Sequence, residues 1–494
     1  MKSFGVVTGH PRIILVAAAA TAALVYGILS AVEGGSAAPG AQAPSPTAAA
    51  SATQAASPTA TPTSTPAPAT PEPAVQPKPV APGEKVTADV ARVHTGDGDC
   101  LNVRPSPGTT FAIEPYSCVP EGTLLWLSGP AVDVDGETWR FALGQGWVAV
   151  RYTVAEQAPS VRLPAGKLVT WERGQYREPK PGDATGGSSD VVVAITDLQD
   201  PTRPVRFVFP GFVDMMGASN PAISPDGRRI SFGTGNGDWT TASTIVGNLS
   251  DGSTKRIEGW SGVGWSSTGR LMLAKTTSCE TVCLTLYGTY DAGTGALVPL
   301  TGEPAQLQFL AWTADGETAY FRRTDGGAVV RYDLAGAARQ VGTLADEDAI
   351  WSGVPSPDGT RLLGMGGLNA LNLFDVGSGR ASKFTRAGQR ELPGKCGGGW
   401  SQVFGWLDGS RIFYHERSSS GRQDGVTIGD LATGKRVVYP FYNVQDLTSP
   451  APGLLSFSTW VSDAERSYTV TFVLDTATGQ AMPLVTGTGA TWVR

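Results

Sequence analysis

Histidine is nearly absent from this chain. Among 494 residues there are three, His10, His94 and His415. A Ser-His-Asp site would have to be built on His94 or His415, because His10 precedes an apolar span, and no G-x-S-x-G elbow accompanies either one. Cysteine is sparse as well: there are five, and none precedes Cys100, which excludes a lipidated N-terminal cysteine. No His lies near any cysteine pair, so tetrahedral zinc chemistry finds no ligand set. Charge is low, at 17% of residues, and the net charge of −6 comes without any Lys/Arg cluster, which argues against a nucleic-acid partner.

What the chain has in quantity is glycine, 63, and proline, 36, and much of the glycine falls in a repeated unit. A strand ends in Asp, a turn carries Thr-Gly or Ser-Gly, and a second strand begins. The clearest copies are Thr427–Val438 (TIGDLATGKRVV), 471–482 (TFVLDTATGQAM), Asn372–Lys383 (NLFDVGSGRASK) and Tyr287–Val298 (YGTYDAGTGALV). Three weaker copies bring the turn positions to seven: Asp197, Asn248, Asp291, Asp333, Asp375, Asp430 and Asp475. An Asp or Asn side chain there can bond the backbone two residues on, and Gly supplies positive φ, so each pair makes a tight hairpin. Ahead of each hairpin lies a second signature, SPDG at Ser224 and Ser356, TADG at Thr313, SSTG at Ser266 and LDG at Leu407, followed by an apolar strand. Short strands and turns repeated at this length predict β-propeller blades.

The same residues resemble the TolB-type, WD40-like propeller repeat of bacterial exported proteins, over about the last two-thirds of the chain. The resemblance implies the fold and leaves the activity open, since propellers host unrelated functions. The first copy of the second strand, KLVTWE, has no first strand before it, and the last segment, GATWVR, has no successors. The two ends therefore complete one blade, which removes exposed sheet edges and predicts seven blades over residues 166–494.

Four segments precede the propeller. Residues 1–12 are basic, and residues 13–32 are uncharged, mostly apolar and long enough to span a bilayer. They read as a transmembrane signal anchor with residues 1–12 cytoplasmic and the rest outside, in a single-pass cell-membrane protein. Cleavage near Ser36-Ala37-Ala38, giving a secreted protein, is the rival reading. Residues 33–85 are Ala, Pro, Ser and Thr with little else, a disordered, semi-rigid spacer. Residues 86–155 alternate short β-type runs with turn clusters, as a small antiparallel barrel does. Their Leu101-Asn102-Val103-Arg104 run, Trp139 and Gly146-Trp147 resemble bacterial SH3-like domains. That resemblance implies cell-wall peptide binding or a spacer role.

The whole is thus expected to be all-β: an SH3-like barrel followed by a seven-bladed propeller. Cys100 with Cys118, and Cys279 with Cys283, are expected to form local disulfides in an oxidising compartment, leaving Cys396 over. No cofactor or metal is called for. The S-x-D-x-G-x-T-W box of sialidase propellers is absent. The turn acids read as structural. In a propeller, the loops between second and third strands share a face around the axis with the connections between blades. In this register that face gathers Trp171, Arg173, Tyr176, Trp239, Lys275, Arg322, Arg323, His415, Arg417 and Trp460 as candidate ligand-binding residues. Aromatic rings beside cations suit an acidic or sugar-like ligand. The function expected is a non-catalytic, membrane-tethered binding or scaffold protein for a cell-wall glycan or peptide or for a protein partner. The alternative is a propeller enzyme acting on a glycan, with His415, Glu416 and neighbouring arginines carrying the chemistry.

Overall fold

The computed structural model describes residues 80–493, save for 110–116, 179–186, 213–219, 235–241, 280–282, 302–304, 345–349, 351, 366–370, 384–403, 417–424, 442–443 and 463–466. The expected anchor at 13–32 and most of the spacer lie outside these residues. Among the described residues no helix is long and apolar enough to cross a membrane.

The repeat folds as its turns dictate. Among the described residues, seven four-stranded antiparallel sheets follow one another along the chain. Blade 2 is the first with all its strands in sequence order: Ala222–Ile223, Arg229–Thr234, Ser243–Asn248 and Thr254–Ile257. Blades 3 to 7 repeat this pattern, ending with Val444–Ala451, Leu454–Ser462, Ser467–Asp475 and Gln480–Thr486. Blade 1 takes its second to fourth strands from Lys167–Arg177, Ser188–Asp197 and Val205–Phe212. Its first strand is the C-terminal Thr488–Val493, which pairs with Lys167–Arg177. The ends of the propeller segment close the ring.

Each turn Asp is engaged by its own hairpin. Asp291 accepts the Gly293 and Thr294 N–H groups at 2.8 and 2.9 Å, Asp430 that of Ala432 at 2.9 Å and Asp475 that of Ala477 at 2.8 Å. The SPDG turns add a hydroxyl: Ser224 donates to Asp226 at 2.6 Å and Ser356 to Asp358 at 2.5 Å. The Ser356 hydroxyl, with the Thr360 N–H and hydroxyl, holds the Asp358 carboxyl down at about 2. Across the sheet, the residue opposite the turn Asp is often basic: Lys167 faces Asp197, Arg270 faces Asp291, Arg361 faces Asp375 and Arg411 faces Asp430. The first strands are stitched to their neighbours by tryptophan. Trp265 Nε1 donates to Ala222 O, Trp312 Nε1 to Gly264 O and Trp406 Nε1 to Val354 O, each at 3.0 Å.

Residues 89–155 form a five-stranded antiparallel sheet with a two-stranded ribbon, Leu101–Val103 and Ser117–Val119. Val93, Leu101, Val103, Val119, Leu125 and Val148 fill its core. The Cys100–Cys118 disulfide forms as expected, with Cα atoms 5.3 Å apart. This unit is not an independent bead. Val90, Trp126, Trp139 and Trp147 share one apolar cluster with Phe441, Phe457 and Phe472 of the propeller. Trp126 Nε1 donates to Ala481 O at 2.8 Å, and Gln145 Nε2 to Pro440 O at 2.9 Å.

One segment departs from expectation. Residues 80–85 read as the end of a spacer, yet they are bonded to the propeller. Gly83 N donates to Thr486 O at 2.8 Å, Val86 N to Leu484 O at 3.1 Å, and Thr486 N to Glu84 O at 2.9 Å. On the other side, Arg206 Nε of blade 1 donates to Pro82 O at 2.9 Å. This strap crosses the seam between blades 7 and 1. Gly83 must be glycine there: its φ is +78°, and a Cβ would sit 2.6 Å from that of Ala194.

Candidate functional site

The face that carries the hairpin loops between second and third strands is built from the late residues of the second strands. Most of the loops themselves, with Trp239 and Arg417, lie outside the described residues, as does Cys396. The remaining candidates fall on five blades. Trp171, Arg173 and Tyr176 stand on blade 1, Lys275 on blade 3, Arg322 and Arg323 on blade 4, His415 on blade 6 and Trp460 on blade 7. Tyr176, Arg322, Arg323, His415 and Trp460 lie toward the loop ends of their strands, while Trp171 and Lys275 lie mid-strand. Cys279 and Cys283 face one another in register across the blade 3 hairpin.

Their surroundings differ. Tyr176 is 60% exposed and Trp460 45% exposed, both on the blades that flank the seam. Arg173 stacks over the Phe212 ring at 5.3 Å, and Lys275 is exposed. Arg323 is held by Asp325, with Nε donating to Oδ1 at 2.9 Å. Trp171 is half-buried and packs against the core shared by blades 1 and 2. His415 is half-buried at the end of its strand. Arg322 is not a surface group as expected: it is only 4% exposed. It pairs with Val329, which packs in the core between blades 4 and 5, so the alternation of the strand turns Arg322 inward.

Two further carboxyl groups stand at the seam. Glu172 reaches from blade 1 to blade 7, where its Oε1 accepts the Thr469 N–H at 3.1 Å. Burial pushes its carboxyl above the ordinary value, against the lowering by that hydrogen bond. Asp446 lies in a bulge of the blade 7 first strand and holds φ +49°, an uncommon backbone for a residue other than glycine. Its Oδ2 accepts the Gly489 N–H at 3.0 Å and the Thr488 hydroxyl, tying the first strands of blades 7 and 1 together. Glu172 has one sequence signal, its place beside Trp171 and Arg173. Asp446 has none, because a bulge leaves no fixed pattern. Among the described residues no group of three or more His, Cys, Asp or Glu is placed to hold a metal ion.

No family model and no curated protein sequence matches the chain. Solved structures do. TolB from Acinetobacter baumannii matches at 15% identity over 74% of this chain and 82% of that one, with a TM-score of 0.34. The β-propeller domain of the Trilobed protease from Pyrococcus furiosus matches at 13% identity over 64% and 97%, TM-score 0.38. The Pyrococcus horikoshii acylaminoacyl peptidase matches at 14% over 64% of this chain, which spans 50% of its length, TM-score 0.41. At these identities and TM-scores the matches say nothing of this chain's chemistry.

Proposed function

We propose that the protein is a non-catalytic binding or scaffold protein, tethered outside the cell membrane through residues 13–32, with an SH3-like domain and a seven-bladed propeller. The ligand class it suits is a cell-wall glycan or peptide, or a protein partner. One observation carries the reading. Two exposed aromatics, Tyr176 and Trp460, stand at the loop ends of blades 1 and 7, which adjoin across the seam, with Arg173 on the same strand as Tyr176. Exposed rings beside a cation bind sugar faces and acidic groups. The docked small domain supports the scaffold role, because its contacts with Ala481 and Pro440 fix it on the last two blades.

The test is a glycan and peptidoglycan-fragment array probed with the full chain, then with Tyr176→Ala and Trp460→Ala combined. The variant should fold as the parent does and lose the ligand. Binding that persists refutes the assignment. A glycan-active enzyme is the second reading, favoured by the buried Glu172 carboxyl at the seam. A ligand that is cleaved by the parent and only bound by Glu172→Gln would put that reading in place of the first.

A further inference from the structure

The blade face opposite those loops carries the SPDG turns and the Asp-Gly turns. Between blades 2 and 3 it opens into a cleft of about 220 Å³. Three arginines line it, Arg228, Arg229 and Arg270, against two acids, Asp226 and Asp291. Both acids are occupied by their own turns: Asp226 Oδ1 takes the Ser224 hydroxyl and the Arg228 N–H, and Asp291 Oδ1 takes two backbone N–H groups.

The arginines are less satisfied. The Arg228 side chain has no partner among the described residues. Arg270 has an ion pair with Glu317 at 4.0 Å and faces Asp291 across the sheet. Arg229 differs from its counterparts in one respect. In six blades the turn residue is Asp, whereas blade 2 has Asn248. Arg229 therefore faces a neutral amide, to which its Nη1 donates at 3.0 Å, while its Nη2 reaches Ala292 O at 3.5 Å. Asp251 nearby is taken up by Ser253, through N–H at 2.9 Å and hydroxyl at 2.6 Å. Those Ser253 bonds, helped by the Arg229 charge, hold the Asp251 carboxyl below the ordinary value, but among the described residues no carboxylate hydrogen-bonds the guanidinium at the cleft.

We propose that this cleft binds an oxyanion group, phosphate or carboxylate, through Arg228 and Arg270, with Arg229 as a fixed positive charge. Arg donors match such oxygens in pairs, and the cleft has room for a small anion and not for a folded partner. The site lies on the opposite face from the aromatics and does not rest on the reading given them.

Calorimetry on the full chain tests it, with inorganic pyrophosphate and citrate as probes. One of the two should bind with a dissociation constant of about 1 mM or tighter, and added salt should weaken it. The tighter of the two tells phosphate from carboxylate chemistry. Arg228→Gln with Arg270→Gln should weaken binding by about tenfold or more. Asn248→Asp supplies the carboxylate that the other blades carry, so it keeps the fold, and it should weaken binding by about tenfold by neutralising Arg229. Failure of both anions to bind below about 10 mM, or unchanged affinity in Asn248→Asp and in the double arginine variant, overturns the proposal.

Discussion

Replacing Thr486 by valine should loosen the strap across the propeller seam while leaving its shape intact. Thr486 is nearly buried, and its hydroxyl does two things at once. It donates to Ala81 O at 2.6 Å and accepts the Glu84 N–H at 3.0 Å. Valine fills the same volume and makes neither bond. At about 1 kcal/mol net for each, the strap loses about 2 kcal/mol. The backbone bonds of Gly83 and Val86 to blade 7 remain, so the strap stays docked but opens about 30-fold more often. Amide hydrogen exchange reads this directly. Protection at Gly83, Val86 and Thr486 should fall by about that factor, with the amides of blade 4 unchanged. Gly83→Ala is the harsher version, because it meets both the positive φ and Ala194. Fast exchange at 80–86 in the parent protein, or protection unchanged in Thr486→Val, refutes the claim that these residues belong to the folded unit.

Two further predictions concern pH. Glu172 has its folded pKa raised by burial, so its stabilising contribution is complete below the ordinary value of 4.5 and is lost as pH rises through the folded value. Glu172→Gln keeps an acceptor for Thr469 and should melt higher than the parent above that range; equal melting temperatures across the titration would refute the burial argument. Asp358 is the opposite case: its folded pKa is about 2 against an ordinary 3.8. Its contribution is complete above 3.8 and lost as pH falls through about 2, so Asp358→Asn should be less stable near neutrality and should match the parent at the acid end. A constant offset down to the acid end would show that the carboxylate is not what the turn uses.

Much of the fold is legible because the turn chemistry is local. An Asp or Asn at a strand end, followed in six of the seven copies by Gly within four residues, is read from the chain alone, and the seven copies reveal the blades and the shared closing blade. The arginines opposite the turn acids are harder to see. In blade 3, Arg270 and Asp291 meet only when the hairpin folds, so Arg270 looks like the polar start of an apolar strand. The strap is illegible for a different reason. Its composition continues that of the Pro-rich spacer, and its partners, Thr486 and Arg206, are distant in sequence. Arg322 misleads because a cation near a hairpin reads as exposed, whereas strand alternation turns it toward the next blade. Among the candidate site residues, the strand on which each falls follows from the repeat, and which side chains are buried does not.

The strap has a mechanical consequence. Residues 82–86 lie on the seam, so a pull that reaches them along the chain is delivered there. There the strap is held from two sides, by Thr486 of blade 7 and by Arg206 of blade 1. Drawn along its own length, a segment bonded alongside residues 484–486 loads its hydrogen bonds in shear, so they resist together instead of opening singly. Tension is then shared between the blades on either side of the closure, and the small domain, which follows the strap in the chain, is spared the traction.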